Sequence, residues 1–414
     1  MNIVVFSHDV PWPPVHGGRI DLHNRLKAFK ELGHDAFLVC WALHRDNKRE
    51  ENIQHIKDTI DGVICFSGDE SIVSRIIHLL ARLVKLTIQP NLVSRCSLSR
   101  KGLTELKRQL ESFRPDVVFV DNIYAARLAY QYASLVDLPV FVRSHNIEHL
   151  YIKKMAAIAS SYKTKLHFLA MSANLKKYEK NMLKRADAFF DISLVDLEFW
   201  KEQGLTNGYW MPPVYYNNYL VSEKGNIDPI LFDVAYIGNL NSPNNIQGLF
   251  WFFEKVLPIL NAKYPGASVL VAGSRPIESL VNYCSHSTNV TLLANPEDVI
   301  SLYGRSKVLV NPTLAGSGVN IKSIEMLHLD NPVVCTPKAV EGLPTEIKAA
   351  FDATSDPEEF AIHILKHLQH PDDLVPSRKE ARTYFSPNYL AANIEIMKGL
   401  TEKHGNQSQS SKIL

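Results

Sequence analysis

The chain has 414 residues, 46% of them hydrophobic and 21% charged, with a formal net charge of +2. That length exceeds one compact core and suits two domains of roughly 200 residues each, with a cleft between them as the default expectation. The composition excludes extensive disorder, and the balanced charge gives no footprint for nucleic acid.

Five cysteines, Cys40, Cys65, Cys96, Cys284 and Cys335, are scattered, odd in number and without a close pair at metal-ligand spacing. They read as buried thiols of a reducing compartment. The chain opens at once into the strand-like NIVVFSH, without the charged and apolar regions of a signal peptide, and no apolar run is long enough to cross a bilayer. A cytoplasmic location is expected.

Asn2 to Ser7 reads as a buried strand, followed by the loop HDVPWPPVHGGRI and an amphipathic helix through Leu22, Leu26, Phe29 and Leu32. Gly17 and Gly18 immediately precede that helix and offer backbone amides to an anion, or simply close a rigid turn. His34 to Trp41 resumes a strand, in the alternation expected of a parallel sheet covered on both faces. Ser71 to Pro90 combines Ile72, Ile76, Leu79, Leu80, Leu83 and Leu86 with Arg75, Arg82 and Lys85. It reads either as a core helix with solvated cations or as a helix lying on an anionic membrane. Lys153 to Arg185, with Lys163, Lys165, Lys176, Lys177, Lys180 and Lys184, adds weight to peripheral membrane contact.

Pro115 to Asp121 is a further buried strand, and Pro139 to Val142 runs straight into RSHNIEH. Polar groups at the carboxyl ends of parallel strands mark a ligand crevice, so Arg143, His145, Asn146 and Glu148 are expected to face a ligand. Ala186 to Ser193 reads as the last strand of this half, with Asp196 capping the segment after it. The Gly-, Pro-, Tyr- and Asn-rich stretch Leu205 to Asp228 reads as an interdomain connection. A second alternation begins at LFDVAYIG. There Arg275 leaves a strand in AGSRP, within reach of a phosphate or in a surface ion pair. The expected domains are 1–210 and 231–375, joined by a linker over 211–230, with closing helices over 376–400 and a disordered tail over 401–414.

Pro312 to Leu327, PTLAGSGVNIKSIEML, reads as a glycine loop and a helix starting near Val319, set between strands. Gly316, Ser317 and Gly318 can turn amides toward a phosphate, and Val319 lies at the helix start. Lys322 and Glu325 share one helix face, the cation suited to a diphosphate and the carboxylate to ribose hydroxyls; they also suit a solvated ion pair. Neither a P-loop nor a dinucleotide fingerprint fits.

On the motifs PPVHGGR, RSHNIEHLY, ADAFFDISLVD, AYIGNLNSPNN, SVLVAGSRP, VNPTLAGSGVNIKSIEML and NPVVCTPKAVEGL, the chain resembles the retaining glycosyltransferases of family 4, also called group 1. The resemblance implies an α/β GT-B fold, two Rossmann-like domains facing across a central cleft, with the acceptor held by the N-terminal domain and the nucleotide-sugar by the C-terminal one. It also implies a C-terminal helix that crosses back to the first domain. Carried over by position, it implies Glu325 at the ribose, Lys322 near the diphosphate, and Gly316, Ser317 and Gly318 at donor sugar and phosphate. It further implies Gly17 and Gly18 as the opposing glycine loop and His145 beside the donor sugar. Two departures stand out: Ser317 where many members carry an acidic residue, and Asn239, Asn241, Asn244 and Asn245 where an Arg and Lys pair is frequent.

The implied reaction moves a hexose from a nucleoside diphosphate sugar to a glycan or lipid-linked glycan, with retention and without a metal or other cofactor, in surface polysaccharide assembly. A sugar-nucleotide epimerase of the same fold and a catalytically silent nucleotide-sugar-binding scaffold are the alternatives.

Overall fold

The computed structural model describes all residues except 15–16, 43–48, 68–95, 159–160, 173, 217–231, 297–298, 317, 371–376 and 414. The amphipathic stretch Ser71 to Pro90 and the loop residue Ser317 lie outside the described residues. The chain divides into two units, Met1–Val214 with Phe385–Leu414, and Tyr215–Tyr384.

The first unit is built on β1 (Asn2–Ser7), β2 (Asp35–Ala42), β3 (Gly62–Ser67), β4 (Val117–Asp121), β5 (Val140–Ser144), β6 (Ala188–Asp191) and β7 (Gly208–Trp210). They pair in the order β3-β2-β1-β4-β5-β6-β7, every pair parallel. Ile3, Val4, Val5 and Phe6 have no exposed surface, nor have Val117 to Val120. Such unbroken apolar runs are what a sheet covered on both faces requires.

Three expectations are corrected here. The strand Ala188–Asp191 is not the last of this half, because Gly208–Trp210 adds an edge strand within the stretch read as a connection. The helix Leu194–Glu202 is capped by Ser193, whose hydroxyl accepts from the amide of Asp196. The segment after Thr401, expected as disordered, continues the helix Pro387–Ile413. Packing of Leu390, Ile394 and Met397 nucleates that helix, after which each added turn costs little. Asn393 anchors it to the carbonyl of Trp210 at 3.0 Å.

The second unit holds β8 (Phe232–Asn239), β9 (Val269–Ser274), β10 (Val290–Ala294), β11 (Ser306–Asn311), β12 (Val333–Cys335) and β13 (Asp352–Ala353). Their order is β10-β9-β8-β11-β12-β13, again all parallel. In each unit the strand order reverses beside the first strand, between β1 and β4 and between β8 and β11. The crevice at the carboxyl ends of those strands is where open α/β sheets bind ligands. The helix Ser377–Thr383, expected among the closing helices, belongs to this second unit.

Four of the five cysteines, Cys40, Cys96, Cys284 and Cys335, are buried. No helix among the described residues is long and apolar enough to cross a membrane.

Candidate functional site

In the second unit the crevice is formed by the end of β8, the helix Pro243–Trp251 that follows it, and the helix Ile321–Leu327 that follows β11. The last of these starts at Ile321, two residues beyond the expected Val319, because Asn320 is still extended at φ −79°, ψ 100°. Gly318 takes φ +66°, the left-handed conformation that a glycine loop permits, while Val319 is buried. Gly316 has open space where a Cβ would stand.

The loop is braced from below. Asn311 donates to the Ser323 hydroxyl at 2.9 Å, Thr313 donates to Asn311 at 2.8 Å, and Ser323 donates to the carbonyl of Ala339 at 2.6 Å. The Thr336 hydroxyl bonds the carbonyl of Thr313. Four short polar side chains thus fix the backbone that carries Gly316 to Val319.

Lys322 points across the crevice to β8. Its Nζ donates to the Tyr236 hydroxyl at 2.8 Å and to Asn245 Oδ1 at 3.3 Å, and it lies 4.2 Å from the Tyr236 ring centre. A Cβ at Gly238 would stand 3.0 Å from both the Lys322 ammonium and the Tyr236 hydroxyl, so a side chain there would crowd this pair. Burial pushes the Lys322 pKa down to about 7. Burial likewise pushes Glu325 up to about 7, with the charge of Lys322 opposing the rise. Among the described residues no protein donor engages the Glu325 carboxylate. Burial thus brings both groups to titrate near neutral pH, with only neutral acceptors on Lys322.

The asparagines that stand in place of a basic pair brace their own loop: Asn245 donates to the carbonyl of Asn239 at 2.9 Å, and Asn239 accepts from the amide of Asn241 at 3.0 Å. Arg275 is exposed at the end of β9 with φ +53°, its amide held by Asn295 at 2.9 Å.

Sequence reasoning missed Tyr236, which reads as an ordinary strand residue, and also Arg378 and Arg382. Arg378 donates to the carbonyls of Met326, at 3.0 Å, and Asn331. Arg382 reaches those of Leu327 and Leu329 at 2.8 and 2.7 Å. Two guanidiniums thereby satisfy the carbonyl end of the helix carrying Lys322 and Glu325.

In the first unit, Gly17 and Gly18 open the helix Gly17–Glu31, and Arg19 anchors its start through a two-point pair to Asp9 at 2.8 and 2.9 Å. From that helix Asp21 and Arg25 enter the crevice between β1 and β4. Arg25 Nη2 lies 2.9 Å from both Asp21 and Asp121. His145 Nε2 is 3.1 Å from Asp121, and its Nδ1 is 3.6 Å from Asp21.

Two expected ligand contacts are corrected. Arg143 is fully buried, paired with Asp21 at 3.1 Å and donating to the carbonyl of Met211. Glu148 is buried as well, accepting from the Tyr124 hydroxyl at 2.7 Å, and its carboxyl is raised by burial. Arg143 faces the interior because Asp21 supplies its countercharge there, and Glu148 because Tyr124 and Asn122 donate to its carboxyl. His145 and Asn146 remain partly exposed.

Among the described residues, Asp21, Asp121 and His145 bring one ligand atom each within 4.8 Å of one another. Arg25 and Arg143 already supply these carboxylates with positive charge, so the donor set fits a divalent ion poorly. Burial opposes ionisation of Asp121, but His145 and Arg25 outweigh it and pull the carboxyl down to about 2.

Comparison with solved structures places this architecture. HepE of Anabaena, solved with UDP, superposes with a TM-score of 0.63 at 12% identity, covering 97% of this chain and 100% of that one. TarM gives 0.62 at 12% identity over 96% and 98% of the two chains. Sucrose-phosphate synthase from Thermosynechococcus elongatus gives 0.59 at 14% identity over 99% of each. The fold is GT-B.

Residues 232–370, in the second unit, match the family model described as Glycosyl transferases group 1. A relative along nearly the whole chain is an uncharacterized 44.6 kDa protein in the cps region of Klebsiella pneumoniae, 23% identical over 402 residues, which span 94% of this chain and 96% of the relative.

Proposed function

We propose that the protein is a retaining hexosyltransferase that moves a sugar from a nucleoside diphosphate donor to a glycan or lipid-linked glycan acceptor in surface polysaccharide assembly. The observation that carries this reading is the Lys322 and Glu325 pair on one helix face at the strand-order reversal, a cation held by neutral acceptors and a carboxylate that no donor engages among the described residues. A nucleoside diphosphate supplies what each lacks, an anion for Lys322 and ribose hydroxyls for Glu325. The HepE structures with UDP and with UDP-glucose, and the cps-region relative, support the donor class and the polysaccharide setting.

In the proposed step the bond from the anomeric carbon to the diphosphate oxygen breaks as the acceptor oxygen bonds that carbon from the same face. The acceptor proton passes to the departing phosphate. Charge grows on the diphosphate, and Lys322 with the amides around Gly316 and Gly318 stabilises it more as it grows, which lowers the barrier. The reading gives the cationic role to Lys322 instead of a metal, and keeps His145 as the group that orients the donor sugar, as the family resemblance implies.

The test is a thermal-shift titration with UDP, GDP, ADP and TDP, repeated on Glu325→Ala. A nucleotide at 100 times its dissociation constant adds about 2.7 kcal/mol of stability. One nucleotide should stabilise the wild type and lose its effect in the variant. Equal stabilisation of both would remove Glu325 from the ribose. Release of the sugar to an acceptor, with no conversion of the donor in its absence, separates transfer from epimerisation.

A further inference from the structure

The helix Tyr162–Ser172 is apolar on two sides. One side turns Met171 and Phe168 into the core of the first unit. Tyr162, Leu166 and Leu169, spaced i, i+4 and i+7 at about 100° per residue, fall within roughly 60° of one another on the opposite side. There they are exposed to 81%, 56% and 47%, and make three of the seven large exposed apolar side chains among the described residues. A helix apolar all round is ordinarily buried all round, and a contiguous apolar row left in water marks a contact surface.

The charge beside this row has one sign. Lys163 and Lys165 flank it and are exposed. From Lys153 through Tyr178 the chain carries six lysines and no acidic residue, although the whole protein is nearly balanced at +2. Lys153 and Lys154 come from the helix Glu148–Ile158, which packs against Tyr162–Ser172, and Lys176 and Lys177 are exposed at the start of the helix Leu175–Arg185. A second copy of the same face would bring lysines against lysines. A surface that is apolar within and anionic at its boundary meets both features at once.

We propose that this face docks the protein on an anionic lipid bilayer. Tyr162, Leu166 and Leu169 enter the boundary between headgroups and acyl chains, and the lysines pair with lipid phosphates. Tyr162 suits that depth, having an apolar ring and a hydroxyl that stays wet. None of the residues assigned to the donor belongs to this face, so membrane docking and nucleotide binding stand or fall separately.

The experiment is co-sedimentation of the full chain with phosphatidylcholine vesicles and with phosphatidylcholine vesicles containing phosphatidylglycerol. The variants are Leu166→Ser with Leu169→Ser, and Lys163→Glu with Lys165→Glu. These positions are exposed, so both double variants should melt with the wild type and keep any nucleotide-induced thermal shift. The wild type should bind the anionic vesicles, release in high salt as the charges are screened, and lose about tenfold or more in affinity in either variant. Absence of binding to anionic vesicles overturns the proposal, as does undiminished binding of both variants. A wild-type dimer that Leu166→Ser with Leu169→Ser converts to monomer would make the face a protein interface and overturn it too.

Discussion

The Lys322 ammonium is 2.8 Å from the hydroxyl of Tyr236 and 4.2 Å from the centre of the same residue's ring. A phenol and an asparagine therefore orient a cation whose charge they do not cancel. Because burial holds Lys322 near a pKa of about 7, it is mostly neutral at pH 8 before nucleotide binds. A bound diphosphate favours the charged form, so nucleotide binding should draw in a proton. At pH 8 the phosphate itself is already ionised, its second pKa being about 6, and does not mask the effect. Calorimetric titration with UDP at pH 8, in buffers of different ionisation enthalpy, should read uptake of up to about one proton per nucleotide. Lys322→Met should abolish it; uptake unchanged in that variant would assign the proton elsewhere.

Tyr236→Phe keeps the ring and removes the hydroxyl. If the hydroxyl aims Lys322, UDP affinity should fall by about 0.5–1.5 kcal/mol, the net worth of one hydrogen bond, while thermal stability without ligand changes little. A loss of stability equal to the loss of affinity would mean that Tyr236 is only a packing residue.

The carbonyl end of the same helix rests on Arg378 and Arg382. Arg382→Met should leave the carbonyls of Leu327 and Leu329 without donors, costing about 1–3 kcal/mol, and weaken nucleotide binding through displacement of Glu325. Urea denaturation and the UDP thermal shift measure the two effects separately.

Much of this was legible in the sequence for a definite reason. Strands buried on both faces, such as Ile3–Phe6 and Val117–Val120, are unbroken apolar runs, and the alternation of such runs with helices names the fold class. The glycine loop and the Lys322 and Glu325 spacing are local, so they could be read from 16 consecutive residues. What stayed hidden depends on distant partners. Tyr236 is 86 residues from Lys322, and its side chain alternates with core residues like any other in β8. Arg143 lies within β5, one residue before its end, where Asp21, 122 residues away, turns it inward; Glu148 does stand beyond that strand, but Tyr124 holds it in the interior. The strand Gly208–Trp210 has three residues, too few for a period to show.

Gly273 tests how tightly β8 and β9 must approach beneath the site. It has φ +152°, and a Cβ on it would lie 1.7 Å from the backbone carbonyl oxygen of Gly238, which cannot swing aside. Gly273→Ala should therefore cost more than about 2 kcal/mol and lower nucleotide affinity through the adjoining Tyr236 and Lys322. Gly266→Ala is the control. At φ +81° with nothing within 4 Å of its Cβ, it should cost only about 1–2 kcal/mol of backbone strain.

The buried charges of the first unit give the last prediction. Asp21 is shared by Arg25, at 2.9 Å, and Arg143, at 3.1 Å. Burial opposes its ionisation, but Arg143, Arg25 and His145 outweigh burial and hold its pKa below the ordinary value. Asp121 is held down to about 2. A carboxyl whose folded pKa is depressed contributes stability that is complete above its unfolded pKa, about 3.9, and is lost as pH falls through the folded value. Urea denaturation of the wild type should thus show stability falling between about pH 4 and pH 2, with a shallower fall in Asp121→Asn. At pH 7, Asp21→Asn leaves the buried Arg143 without its carboxylate and Arg25 with Asp121 alone, and should cost about 3–5 kcal/mol. Adding Arg143→Met removes the first of these charges, so the double variant should be more stable than Asp21→Asn alone. Strictly additive losses would mean that the two residues do not act as a pair.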